Sequence, residues 1–146
     1  MKIKIERTEA FCETEVTVRC SKNEDQTTKM LLRQLEMLAG TAVGYKDGTA
    51  HKLALQDIFY IESVDEKTFF YLEEDIYETP RKLYEWEKEL QDTSFVRISK
   101  STILNTDKLC SVRPMLSGRL EAALENGEKQ VVNRHYVDGF RKKFGI

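Results

Sequence analysis

Ile58-Phe-Tyr-Ile-Glu-Ser-Val-Asp-Glu-Lys-Thr-Phe-Phe-Tyr-Leu72 carries the pattern that sets the fold class. Two runs rich in Ile, Phe and Tyr, residues 58–62 and 68–72, flank the charged break Asp65-Glu-Lys67. Each run has the length of a strand, and β-branched and aromatic side chains suit a pleated surface. Reading upstream, Asp47-Gly48 is a turn dipeptide between apolar residues 42–43 and 51–55. Downstream, residues 76–79 form another candidate strand that stops at Pro80. Candidate strands return at residues 95–98, 103–105, 109–112, 119–124 and 129–132. Between the last two, Asn126-Gly127 is the strongest hairpin signal, because both residues tolerate the positive φ of a type I′ turn. Short strands spaced about eight to twelve residues apart predict an all-β meander or barrel rather than βαβ units.

Three segments change to helical spacing. Leu83, Trp86 and Leu90 fall at i, i+3 and i+7, with Glu85, Glu87, Lys88 and Glu89 facing mainly outward. That charged run is a solvated face; a catalytic carboxylate pair would need a nearby His, Ser or Lys in a plausible role. After Asn133, a good N-cap residue, a closing helix over residues 135–144 would bury Tyr136, Val137, Phe140 and Phe144. A third helix is expected near residues 28–38, where Met30, Leu31, Leu35 and Leu38 form one apolar stripe ahead of a C-cap glycine, Gly40. Upstream of it, residues 2–6 and 15–19 alternate Ile3/Ile5 and Val16/Val18 with mostly charged neighbours, the signature of half-buried strands. Residues 1–40 are therefore read as a β-β-α extension and candidate dimerisation element, and residues 41–146 as the main domain. The stripe needs a cover, either the domain itself or a second copy.

With 146 residues the chain has room for one compact domain, or one with a short appendage. No run approaches the roughly 20 apolar residues of a membrane helix, and the first residues lack a signal-peptide core, so a cytoplasmic location is expected. Cys12, Cys20 and Cys110 are an odd number without Cys-x-x-Cys spacing, and His51 and His135 have no ligand-spaced neighbour. Neither disulfide, metal nor other cofactor is expected. Without a nucleophile–base pair or a Gly-rich phosphate loop, an enzyme is not expected either.

Charge is divided along the chain. Residues 95–146 hold ten Lys+Arg against five Asp+Glu, whereas residues 39–94 hold six against thirteen. Such a division suggests a surface built to meet a polyanion, with an acidic body turned away. Three turns concentrate the polar side chains: Asp65-Glu-Lys67-Thr68; Ser99-Lys100-Ser101, flanked by Arg97 and Asn105; and Asn133-Arg134. Hydroxyls suit phosphate oxygens, and arginine suits the guanine edge through paired hydrogen bonds. Arg134 would stand in a first helical turn, where the helix dipole gives a cation no stabilisation. By itself a basic, hydroxyl-rich turn is also ordinary surface.

Asp57-Ile-Phe-Tyr-Ile-Glu62, Phe95-Val-Arg-Ile-Ser-Lys-Ser-Thr-Ile-Leu-Asn105, and Asn126-Gly-Glu-Lys through Asn133-Arg-His-Tyr136 to Phe140 stand in order at set intervals. Through these blocks, residues 41–144 resemble the LytTR-type DNA-binding domain of bacterial transcriptional regulators. The resemblance implies an elongated, mainly β, multi-stranded fold with short helices, here preceded by the β-β-α extension. It implies a sequence-specific double-stranded DNA-binding transcriptional regulator whose loops enter the major groove. Lys100 and Arg134 are then the implied base readers, with Lys67 or Thr68 as a third contact. Arg97, Ser99 and Ser101 are the implied phosphate contacts, and Asn105 is grouped with them. Arg97 and Ser101 can instead be structural, bonding the turn backbone. Residues 1–38 are too few for the receiver domain many relatives carry, so control by aspartyl phosphorylation is not expected. The expected partners are DNA, a second copy of the chain and a membrane-bound regulatory protein, with no small-molecule substrate. The alternative is a protein-interaction module on the same scaffold that binds a regulatory partner.

Overall fold

The structure, a computed structural model, describes residues 1–23 and 25–146. It is mostly β, with ten strands: β1 Thr41–Lys46, β2 Thr49–Ala54, β3 Tyr60–Val64, β4 Lys67–Tyr71, β5 Ile76–Thr79, β6 Phe95–Arg97, β7 Thr102–Asn105, β8 Leu109–Pro114, β9 Leu120–Leu124 and β10 Lys129–Val132. The first seven form one sheet in the order β2-β1-β5-β4-β3-β7-β6, and the last three form a second in the order β10-β9-β8. Every pairing is antiparallel. Helices α1 Gln26–Ala39, α2 Leu83–Glu89 and α3 Val137–Phe144 complete the fold.

Period-2 alternation gives the larger sheet two apolar faces. Ile61, Phe70 and Ile103 pack with Leu83 and Trp86 of α2 and Met37 of α1. Tyr60 and Leu104 pack with Leu120, Leu124 and Val132 of the second sheet and Phe140 of α3. Phe70 meets Trp86 edge-on at 5.0 Å, and the indole N–H donates to Thr79 Oγ1 at 3.2 Å. Phe70 and Phe140 are fully buried, a burial worth about 1.5–3 kcal/mol each. The central sheet is thus held from both sides, which fixes where its end turns project.

Three turns show how residue type and backbone relate. Asp47 and Gly48 have φ of 50° and 76°, the type I′ geometry expected of that dipeptide. Asp65 and Glu66 adopt φ of 50° and 66° without a glycine. The hairpin at Asn126-Gly127 differs from the type I′ expectation. Only Gly127 has positive φ, at 89°; its N–H donates to Leu124 O at 3.0 Å, and Leu124 N–H donates to Glu128 O at 2.8 Å. This is the three-residue loop closed by a left-handed glycine, the next commonest hairpin connection.

The first 40 residues depart most from expectation. Neither 2–6 nor 15–19 forms a strand, and Ile3, Ile5 and Val16 are exposed. Two apolar residues per segment bury too little to offset about 1–2 kcal/mol of backbone ordering per residue, and no sheet edge pairs with them. Helix α1 begins where Asp25 Oδ1 accepts from Thr28 N–H at 2.8 Å, and that bond holds the Asp25 carboxyl below its usual pKa. The apolar stripe is split: Leu31 and Leu35 are half-buried, Met30 and Leu38 are exposed, and Met37 is the residue that enters the core. Gly40 is no left-handed cap, for its φ is −76° and ψ 140°. Glycine is required there by close approach, since a Cβ would collide with the Leu55 side chain and lie 2.9 Å from Glu36 O.

Candidate nucleic-acid interface

Antiparallel pairing of β3 with β7 brings Glu62 opposite Thr102, so the end of β3 lies beside the start of β7. There Ser63 N–H donates to Ser101 O at 2.8 Å, joining the β3–β4 hairpin to the β6–β7 turn. On the other side Asn133 N–H donates to Ile98 O at 2.9 Å, joining the β10–α3 junction to the same turn. Two backbone hydrogen bonds therefore stitch the three polar turns side by side at one end of the large sheet. Lys67, Lys100, Ser101 and Arg134 are exposed there, and Ser99 is half-buried.

The β6–β7 turn is rigid for a definable reason. Arg97 Nε donates to Ser99 O at 2.6 Å, Nη2 donates to Lys100 O, and Nη1 donates to Glu87 Oε2 at 2.6 Å. Ser101 N–H donates to Ser99 Oγ at 3.2 Å, and Ile98 N–H to Thr102 O at 3.0 Å. The guanidinium, 19% exposed at its side chain, is thus used inside the protein. It braces the turn, and Lys100 is exposed at the tip.

Two residues grouped with the DNA contacts lie out of reach. Thr68 is buried in β4 between Ser63 and Thr79. Asn105 is 0% exposed: its Nδ2 donates to Ile58 O at 2.8 Å, and its Oδ1 accepts from Ser94 Oγ at 2.6 Å and Asp107 N–H at 3.1 Å. Its polarity serves the core, as buried amides must be satisfied. Asn133 makes no side-chain cap bond; the closing helix instead starts as a 3-10 turn, Arg134–Tyr136, with Tyr136 N–H donating to Asn133 O.

A fourth turn joins the site that the sequence reading did not place there. Between β8 and β9, Met115 N–H donates to Arg119 O at 2.8 Å, and Ser117 and Gly118 have φ of 65° and 74°. A Cβ on Gly118 would lie 3.3 Å from both Cγ and Cδ of Arg134, so this turn rests against the Arg134 side chain. The available signal was Ser117-Gly118, a turn dipeptide between two strands, followed at once by the exposed Arg119.

Electrostatics sort the cations. Among the described residues no carboxylate lies within 4.0 Å of Lys67, Lys100, Arg119 or Arg134, whereas Arg113 pairs with Glu121 at 2.8 Å and Arg97 with Glu87. The charge division along the chain is less complete in space: Glu87 meets the β6–β7 turn, and Asp65 and Glu66 form the turn beside it. Beneath the stitch, burial first and the Glu128 carboxylate second hold the Glu62 carboxyl above its usual pKa.

A mainly β domain that presents unpaired cations on adjoining, internally braced turns has the form of a nucleic-acid-binding surface. The chain belongs to the LytTr DNA-binding domain family, whose profile matches residues 48–145. The transcriptional regulatory protein LytR of Staphylococcus aureus (strain N315) is 31% identical over 100 residues, covering 68% of this chain and 41% of LytR. The sensory transduction protein LytT of Enterococcus faecalis (strain ATCC 700802 / V583) is 29% identical over 94 residues, covering 64% of this chain and 39% of LytT. The match thus spans about two fifths of the length of these curated relatives. A solved LytTr DNA-binding domain from Bacillus cereus superposes with a TM-score of 0.67 at 26% identity, covering 73% of this chain and 97% of that one. Among the described residues no helix is long and apolar enough to cross a membrane.

Proposed function

We propose that the chain is a sequence-specific, double-stranded DNA-binding transcriptional regulator of the cytoplasm whose turns enter the major groove. The stitching of three turns by the Ser63–Ser101 and Ile98–Asn133 bonds carries this reading. A contact surface fixed by backbone bonds loses little entropy on binding. Lys100 and Arg134 read base edges, with Lys67 as a third contact, while Ser99 and Ser101 meet phosphates. Arg97 is a positioning residue for Lys100. Selection of bound sequences from a random duplex pool tests the reading, with the expected outcome a defined motif. Arg134→Ala should then lower affinity for that motif by about 1–3 kcal/mol and relax base choice at one position. Equal affinity of the native chain for selected and random duplexes would overturn it.

The same reading includes a homodimer formed through residues 1–40. Met30 and Leu38 remain exposed on α1 although Met37 docks on the domain. Two linked domains gain affinity through effective concentration. Light scattering at micromolar concentration, on the whole chain and on a chain beginning at Gly40, should give a dimer only for the former. A monomeric whole chain, with and without DNA, rules the dimer out and leaves that helix face to a regulatory partner.

A further inference from the structure

Leu116 is 85% exposed, the most exposed large hydrophobic among the described residues. It stands in the β8–β9 turn, whose Gly118 leaves only 3.3 Å between a would-be Cβ and the Arg134 stem. The turn has a fixed shape: Met115 N–H bonds Arg119 O, Arg119 Nε donates to Leu116 O at 3.5 Å, and Ser117 and Gly118 both take positive φ. Ser117 holds that conformation without being glycine, a cost in stability that nothing packed on Leu116 returns. An apolar tip held on a braced turn next to a base-reading arginine calls for an apolar feature in the same groove. In the major groove of DNA that feature is the 5-methyl group of thymine.

We infer that Leu116 is a specificity-determining residue that packs on a thymine methyl at a base pair neighbouring the one Arg134 reads. This rests on the proposed DNA-reading function and adds a fourth turn to its contacts. Gly118 is then a positioning residue, since its φ of 74° is one that L side chains rarely adopt and a Cβ there would press on the Arg134 stem at 3.3 Å.

The test uses the whole chain and the duplex recovered by selection, with each thymine in turn replaced by deoxyuridine, which removes only the methyl. Binding is read by fluorescence anisotropy. At one position the native chain should lose about fourfold in affinity, the value of burying one methyl-sized group. Leu116→Ala should bind the thymine and uracil duplexes equally, and Leu116→Met, which keeps the volume, should retain most of the discrimination. Exposure of the tip means these variants fold as the parent does. Undiminished discrimination by Leu116→Ala, or none by the native chain at any thymine, overturns the inference. If Arg134→Ala loses base choice while Leu116→Ala behaves as native, only the Leu116 assignment fails; if no motif is recovered, both readings fail together.

Discussion

Arg97 Nη1 donates to Glu87 Oε2 at 2.6 Å, so one guanidinium ties helix α2 to the β6–β7 turn while its other nitrogens hold the Ser99 and Lys100 carbonyls. Arginine can do this because its planar fork offers donors in fixed directions, which a lysine ammonium cannot reproduce.

Arg97→Ala should therefore lower stability by about 1.5–3 kcal/mol, the range for hydrogen bonds to a charged group, and weaken DNA binding by freeing Lys100. The slope of log affinity against log salt should stay unchanged, because no phosphate contact is lost. Arg97→Lys should fare nearly as badly as Ala. A phosphate contact would behave otherwise: Arg97→Lys would bind well and Arg97→Ala would flatten the slope by about one. Denaturant melts and salt titrations of both variants decide between the roles.

Asn105→Ala should act on the core and leave the DNA surface alone. It removes the partner of the Ile58 carbonyl and the Ser94 hydroxyl, both shut off from water, and of the part-buried Asp107 N–H. The expected cost is about 2–4 kcal/mol in urea unfolding at an unchanged m-value. The folded fraction should bind DNA with native affinity and salt slope; a specific loss of binding without loss of stability would restore Asn105 to the interface.

Asn105 and Thr68 mark what the sequence could tell. Alternation and turn dipeptides made the strand series legible, because period 2 is a direct record of two-faced burial. Whether a polar residue at a strand end faces water or core depends on which strand lies above it, and that is a long-range fact. Asn105 bonds Ile58, 47 residues away. The same limit explains residues 2–6 and 15–19, whose alternation is real but which find no sheet edge to pair with and form no strand. It also explains Arg119, which joins the site only because the second sheet folds back to set Gly118 on Arg134. The exposed positions of Lys100, between β6 and β7, and of Arg134, between β10 and the closing helix, were legible because apolar periodic segments bracket each of them.

Glu62 gives a pH-dependent test. Burial and the neighbouring Glu128 carboxylate raise its folded pKa above the ordinary 4.5. The folded state then binds the proton more tightly than the unfolded state, so this group's contribution to stability is fully present below 4.5 and is lost as pH rises through the raised folded value. Glu62→Gln removes the titration and the repulsion. Its melting temperature should exceed the native value at neutral pH, and the difference should shrink on acidification toward pH 4.5. A variant whose advantage is constant or grows at low pH would contradict the assigned direction.

Gly40 tests how helix α1 is joined to the domain. The α1 C-terminus approaches Leu55 so closely that a Cβ on Gly40 would meet its side chain, and Glu36 O stands 2.9 Å from the same point. Gly40 already has the φ and ψ of ordinary extended backbone, so an alanine there suffers no conformational penalty. Whatever Gly40→Ala costs, expected at about 1–3 kcal/mol for overpacking, must come from the collision. The strain should part α1 from the core and expose Met37, raising hydrogen exchange over residues 26–39 while the two sheets stay protected. Leu55→Ala makes room on the other side of the contact, so the double variant should recover part of the loss. The coupling between the two changes should be at least 0.5 kcal/mol, as for residues in contact. Strictly additive losses in that cycle would mean that α1 is held to the domain by something other than the fit of Gly40 against Leu55.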